Sequence, residues 1–320
     1  MNEVPYSLPQ NIIEAAQRGL GKLNRYADPG ELKRLRGLLA EYSGVPDRHI
    51  LLSQGSDLLL RELICPFSKG RNVVTVSPSF FPTVEAVKQF ATERLSIRLS
   101  PPMFDLSLEL LMDMLEVPTL LILDNPNNPT GKMLLERRMV EAIAEHGKVL
   151  LVVDEAYYEF SKTTFADMVA DYPRLAVIRT MDKAFGLAGA RVGYAIVGEA
   201  FLNVFSSFYS LLSRPSLYAA IEALKHPEYM KENVRRTIAE RERLRRALHD
   251  LGSCVYPSSA NFLLIKSEIP DVVRRLGELG VLVSDISSQL PLGFARVSIG
   301  TRGENDTFIV QYREACRTCD

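Results

Sequence analysis

The chain has 320 residues, 47% of them hydrophobic and 24% charged, with a formal net charge of −1 at pH 7. That is the composition of a globular protein long enough to bury a core without disulfides or metal ions. The near-balance of charge excludes a global electrostatic argument for nucleic acid or an anionic membrane as partner.

The N-terminal residues show no basic region followed by an apolar run, so no signal peptide is expected. No segment reaches the roughly 18 unbroken apolar residues of a membrane span. Of the four cysteines, Cys316 and Cys319 form a lone C-x-x-C without a second pair or nearby histidines. The expectation is therefore no metal site and a cytoplasmic protein with reduced thiols. The basic run between Arg235 and Arg246 is interrupted by Glu240 and Glu242, which reads as the solvated face of a helix.

In chain order, the first strand signal is residues 50–52, followed by Gln54-Gly55-Ser56-Asp57 and a helical stretch at 58–64. Apolar runs at 72–76, 95–99, 119–123, 149–153, 176–180 and 192–197 are further strand candidates, with helix-period segments at 83–90 and 134–145. This alternation predicts an α/β domain around a mostly parallel sheet. Residues 149–153 have no polar position, as a strand covered on both faces requires. From Pro227 the pattern changes to a long charged helix reaching about 251. Strands at 262–266, 281–284 and 294–299 follow, with helices at 272–279 and from about 305. These predict a smaller α+β unit. The expected division is a large domain over 26–225, and a small domain formed by 226–320 with an N-terminal arm, 1–25.

Ligands of open α/β sheets sit at the carboxyl ends of the strands, and the unusual polar segments fall there. Asp124-Asn125-Pro126-Asn127-Asn128-Pro129-Thr130-Gly131 follows one strand, Asp154-Glu155-Ala156-Tyr157 the next, and Thr180-Met181-Asp182-Lys183 a third. Each alone has a bland explanation in turn or capping chemistry. Four such segments on successive strand ends, with Gln54-Gly55-Ser56-Asp57, point instead to one site.

Together with Lys183-Ala184-Phe185-Gly186-Leu187-Ala188-Gly189-Ala190-Arg191, these segments resemble the class I/II aminotransferases. These are pyridoxal-5′-phosphate enzymes of fold type I, and the likeness is to the histidinol-phosphate aminotransferase group within them. Asn2-Glu3-Val4-Pro5-Tyr6, Asn24-Arg25-Tyr26, Ala260-Asn261-Phe262 and residues 296–301 extend the resemblance nearly end to end. It implies a large domain with a mostly parallel sheet between helices, a smaller α+β domain, and a homodimer with shared active sites.

The resemblance also implies roles for individual residues. Lys183 carries the cofactor as a Schiff base, which needs an amine that gives up its proton readily. Asp154 keeps the ring nitrogen protonated so that the ring can accept electrons. Asn128 and Tyr157 hold the ring 3-oxygen, and Phe80 stacks on the ring. Gly55, Ser56 and Asp57 open a helix toward the phosphate, where helix N-termini favour anions; Arg191 supplies a cation and Thr180 a hydroxyl. Tyr26 reaches the phosphate of the neighbouring subunit. Arg296 grips the substrate anion, with Asn261 and Tyr6 near it. Lys183, Asp154 and Tyr157 form the catalytic set.

Two positions depart from the group's pattern. Asp182 stands where Ser or Thr commonly precedes the Lys, so it is expected to turn from the phosphate or to pair with Arg179 or Arg191. Ser284 stands where the group carries an Arg for the substrate phosphate, leaving Arg214 and Arg302 as candidate substitutes. The expected reaction is the reversible transfer of an amino group from an amino-acid donor to a 2-oxo acid or to a phosphorylated ketone, with histidinol phosphate and 2-oxoglutarate as the leading pair in histidine biosynthesis. An aminotransferase for aromatic or other amino acids, a threonine-phosphate decarboxylase-like lyase and a cofactor-binding regulator are the alternatives.

Overall fold

A computed structural model of the chain describes residues 2–205 and 211–317; Cys319 lies outside the described residues. Two helices open it, α1 (Gln10–Leu20) and α2 (Pro29–Ser43). No sequence expectation covered either. The start of α2 is specified locally by a capping box, in which the Asp28 carboxylate accepts from Gly30 N and Glu31 reaches back to the Asp28 amide.

The large unit then alternates strands and helices. β1 (Ile50–Ser53), α3 (Ser56–Phe67), β2 (Asn72–Ser77), α4 (Phe81–Phe90), β3 (Glu93–Arg98) and α5 (Leu108–Asp113) come first. They are followed by β4 (Thr119–Asp124), α6 (Arg137–Glu145), β5 (Val149–Asp154), α7 (Tyr158–Ser161), β6 (Leu175–Thr180), β7 (Gly193–Val197), α8 (Glu199–Phe205) and α9 (Arg214–Lys225). The seven strands make one sheet in the order β1-β7-β6-β5-β4-β2-β3. Only the β1–β7 and β7–β6 pairings are antiparallel.

Every residue of β4, β5, β6 and β7 is buried, because helices cover both faces. Alternate residues feed alternate layers. Leu121, Leu123, Leu151, Val153 and Val177 join one core, whereas Leu120, Ile122, Leu150, Val152 and Ala176 join the other with α3 and α8.

The second unit holds α10 (Glu228–Asp250), β8 (Cys254–Val255), β9 (Phe262–Lys266), α11 (Val272–Glu278), β10 (Ser284–Asp285), β11 (Phe294–Ser298) and α12 (Arg302–Arg317). Its antiparallel sheet runs β10-β11-β9-β8 and packs on α10, α11 and α12 around Leu263, Ile265, Ala295 and Val297.

Some expected boundaries move, for identifiable reasons. The stretch at 134–145 becomes helical only at Arg137, since the amides of Leu134 and Leu135 are bound by Asn125 Oδ1 at 2.7 and 3.1 Å. The strand at 281–284 shrinks to Ser284–Asp285. Val281 instead closes α11, its amide bonding Leu276 O at 2.8 Å behind Gly280 at φ +81°. α1, within the arm assigned by sequence to the small domain, packs along α9 of the large unit, where a Cβ on Gly19 would sit 2.5 Å from Pro215 N.

Candidate active site

The carboxyl ends of β4, β5 and β6 and the N-terminus of α3 open on one cleft of about 200 Å³. Ser56, Asp57, Phe80, Asn128, Asp154, Tyr157, Lys183, Arg191 and Arg296 all line it. Ser56 and Arg296, 240 positions apart in sequence, meet there: the parallel strands β4, β5 and β6 deliver their ends to one edge, and β11 of the second unit brings Arg296 across from the other side.

Asp124 organises the floor. Its carboxylate accepts from Asn128 N (2.7 Å), Asn127 Nδ2 (3.0 Å) and Ser79 Oγ (3.1 Å). Asn127 Oδ1 in turn accepts from Thr130 Oγ1 at 2.6 Å, so the polar turn after β4 is bonded largely to itself. Gly131 at its end, with φ +73°, lies against Ser258 of the second unit, where a Cβ would come within 2.3 Å of Ser258 Oγ.

Asp124 and Asp154 are register partners on β4 and β5, and both line the cleft. Burial raises the Asp154 carboxyl to about 7, the neighbouring Asp124 adding to the rise while Lys183 opposes it. Burial lifts Asp124 itself to about 6 against its hydrogen bonds. Lys183 moves the other way. Burial lowers its amine, with Arg296 and Arg191 acting in the same sense and Asp182 and Asp154 against them. A depressed lysine beside a raised carboxyl is the pattern of a proton-transfer site.

On the opposite wall, Tyr157 Oη receives Asn2 Nδ2 at 2.9 Å and Asn128 Nδ2 at 3.4 Å. Burial pushes its pKa up to about 12, with the charge of Arg296 opposing. Arg296 enters from β11, over the Phe262 ring at 5.6 Å, and donates through Nη1 to Asn128 Oδ1 at 2.7 Å. Its Nε is buried without a partner.

Asn2 is a site residue that sequence reasoning quoted in a motif but gave no role. It lines the cleft, and its Oδ1 accepts from Ser298 Oγ at 2.7 Å. The N-terminal segment is thereby strapped across both units. Asp124 was likewise given no role, although a charged residue closing an apolar run, here residues 120–123, is the same signal that marked Asp154.

Other expected residues lie behind or away from the cleft wall. Gly55, φ +94°, precedes α3, and a Cβ on it would meet Arg191 Nη2 at 2.3 Å. Thr180 Oγ1 accepts from Asp182 N at 3.0 Å, beneath the turn that carries Lys183. Asn261 donates to Asn2 O at 3.2 Å and so reaches the cleft only through Asn2. Tyr6 lies against α10, its ring 5.7 Å from the Arg236 guanidinium. Tyr26, in the loop between α1 and α2, is 81% exposed.

Asp182 pairs with Arg191, which also pairs with Asp57. Arg179 is used elsewhere, in a buried pair with Glu155 at 3.1 Å and stacked 3.8 Å over Tyr158. Neither candidate substitute for the missing arginine lines the cleft. Arg214 is tied to Glu31 (3.0 Å) and to the carbonyls of Arg25 (3.0 Å) and Lys22 (3.3 Å). Arg302 is exposed at the start of α12.

Known proteins resemble the chain along nearly its whole length. Residues 1–311 match the sequence model of the family described as "Aminotransferase class I and II". A histidinol-phosphate aminotransferase of Sulfurisphaera tokodaii is 35% identical over 97% of this chain and 87% of its own. A histidinol-phosphate aminotransferase of Sinorhizobium meliloti, solved in complex with pyridoxal-5′-phosphate, superposes with a TM-score of 0.87. It is 26% identical, and the match covers all of this chain and 90% of that one. An L-threonine-O-3-phosphate decarboxylase of Porphyromonas gingivalis shares the fold at a TM-score of 0.81 and 21% identity, covering 95% and 97% of the two chains. With a family match over residues 1–311 and a relative 35% identical over 97% of its length, this chain belongs to the class I and II aminotransferases.

Proposed function

We propose that the cleft binds pyridoxal 5′-phosphate through Lys183 and that the enzyme transfers the amino group of histidinol phosphate to 2-oxoglutarate. The observation that carries the cofactor reading is the pairing of a depressed Lys183 with a raised, buried Asp154 in one cleft.

The donor set fits the cofactor. The amides opening α3 suit a phosphate, and Gly193 lets β7 approach them: a Cβ there would lie 2.5 Å from Ser56 N. Arg191 faces the same point. The Asp154 carboxyl suits a ring nitrogen that must stay protonated, and Tyr157 with Asn128 suits an oxygen acceptor. Phe80 provides an apolar face.

Pyridoxal phosphate, when bound, supplies a conjugated ring that accepts the electron pair released at the substrate α-carbon. Lys183 Nζ, favoured in its neutral form by burial, would take the substrate α-proton as general base and give it up again as general acid. Asp154 holds the proton at the ring nitrogen. Tyr157 Oη, itself bonded by Asn2, orients the ring oxygen. Arg296 binds the substrate anion, its unpartnered Nε offering a donor within the buried wall. The second half-reaction runs the same proton transfers backward on the 2-oxo acid.

The names of relatives over nearly the full length support histidinol phosphate as donor. A second reading, an aromatic amino-acid donor, is favoured by one observation. Ser284 is the register partner of Arg296, and neither Arg214 nor Arg302 lines the cleft to add a second cation. The likeness to the threonine-phosphate decarboxylase is one of fold and carries no chemistry. The deciding experiment is kcat/KM for histidinol phosphate against phenylalanine and tyrosine, with 2-oxoglutarate as acceptor. A tenfold or greater preference for the aromatic amino acids would displace histidinol phosphate.

The working assembly is a homodimer with Tyr26 completing the neighbour's phosphate site. What supports it is the exposure of Leu20, Leu23 and Tyr26 along one short segment, an apolar surface that a subunit interface would cover. We place the enzyme in the cytoplasm, where exposed free thiols such as those of Cys65 and Cys254 stay reduced.

A further inference from the structure

Arg191 is the cation facing the N-terminus of α3, and two carboxylates already hold it: Nη2 donates to Asp57 and Nη1 to Asp182. They differ in freedom. The Asp57 side chain is 45% exposed and can turn to water, whereas that of Asp182 is 7% exposed and lines the cleft. Asp182 Oδ2 takes the arginine, but Oδ1 is buried and has no partner. An orphaned buried acceptor calls for a partner. In a cup built of helix amides and an arginine, the incoming group is a phosphate, whose oxygens are acceptors too. Two acceptors bond only with a proton between them, and an ionised carboxylate as buried as Asp182 is strongly repelled by a dianion beside it.

We propose that Asp182 takes up one proton from solvent as the cofactor phosphate enters, so that its Oδ1–H donates to a phosphate oxygen while Arg191 exchanges its Asp182 contact for the phosphate. This rests on the pyridoxal-phosphate reading above. One O–H bond forms on Asp182, the phosphate keeps both charges, and nothing is oxidised or reduced. Cofactor binding thereby becomes coupled to pH.

The charged groups facing Asp182 are Arg191 from the segment before β7, Asp57 from α3 and Lys183 from its own turn. Burial raises the Asp182 carboxyl above the usual carboxylate range. Arg191 and Lys183 draw it down, as does a hydrogen bond with Thr180, and Asp57 raises it again. A dianion in the cup pushes further upward. The protonated form binds, so affinity is constant below the pKa of Asp182 in the open cup. Above it, affinity falls by about tenfold per pH unit until the pKa of the filled cup is passed.

Pyridoxamine 5′-phosphate is the suitable probe, because it forms no covalent bond with Lys183 and its binding is read without turnover. The full chain, stripped of cofactor, is titrated calorimetrically from pH 6.5 to 9 in two buffers of different ionisation enthalpy, beside Asp182→Asn and Asp182→Ser. The wild type should take up about one proton more than either variant, with a pH slope steeper by about tenfold per unit. At pH 9 both variants should bind at least about tenfold more tightly than the wild type. Pyridoxamine without phosphate should show no such difference. Equal proton uptake and equal slopes for the wild type and Asp182→Asn overturn the proposal. If none of the three proteins binds pyridoxamine phosphate, the cofactor reading fails first and this inference with it.

Discussion

Asp124 and Asp154 stand side by side at the ends of β4 and β5, two buried carboxyls in register, each raised by burial and Asp154 raised further by its neighbour. Their folded-state values, about 6 and about 7, lie above those of an unfolded chain. They therefore contribute stability that is fully present below about pH 4 and is lost as pH rises through 6 to 7. For Asp124 the loss is on the order of 3 kcal/mol. Asp124→Asn removes one such group and lowers the other. Thermal unfolding of the cofactor-free chain at pH 5 and pH 8 should show a smaller fall in Tm for the variant than for the wild type; parallel falls would contradict the coupling.

Asn2 joins Tyr157, Ser298 and Asn261 across the two units. Truncation in Asn2→Ala leaves Tyr157 Oη with only the 3.4 Å contact to Asn128. A hydrogen bond of this kind contributes about 1–1.5 kcal/mol, so kcat/KM should drop by about tenfold. Unchanged kinetics would show that the strap closes over the site without orienting Tyr157.

If Tyr26 acts in trans, two impaired variants should rescue one another. In a heterodimer of Tyr26→Ala and Lys183→Ala, one site combines an intact Lys183 with an intact Tyr26 only when the tyrosine comes from the other subunit. Mixing the variants under subunit exchange should raise activity above that of either alone. No recovery, with heterodimers verified by mass, would place Tyr26 outside the neighbour's site.

The charge shortage at Ser284 gives a gain-of-function test. Histidinol phosphate carries nearly two charges at neutral pH, and Ser284 sits opposite Arg296 in the β10–β11 register. Charge-assisted hydrogen bonds contribute roughly 1.5–3 kcal/mol. Ser284→Arg should therefore tighten binding of the phosphorylated substrate by about ten- to a hundredfold, read as KM. No change would mean that the phosphate is held by other groups.

Much of the site was legible because strand ends are marked twice, once by the end of an apolar run and once by the polar residues that follow. Asp154, Asn128 and Lys183 carried both marks. What remained hidden depends on distances that periodicity does not encode. That Asp124 neighbours Asp154 follows from the strand order β5-β4, which no local pattern states. That Asn261 bonds Asn2, 259 positions away, depends on both ends of the chain coming together. Arg191 was a better partner for Asp182 than Arg179 because Arg179, on β6, is drawn into the buried pair with Glu155. The capping box at Asp28 and Glu31 was readable in the residues, but the amphipathic signal of α2 was too weak to draw attention to it.

Every role assigned to the cleft depends on Lys183 holding the cofactor covalently. Borohydride reduction of the purified enzyme, followed by proteolysis and mass mapping of the labelled peptide, tests it most directly. A single reduced pyridoxyl adduct on Lys183 is expected, absent from Lys183→Ala, whose transamination rate should fall by at least about a thousandfold while its fold persists. An adduct on any other lysine, or a Lys183→Ala enzyme that still labels and turns over, would contradict it.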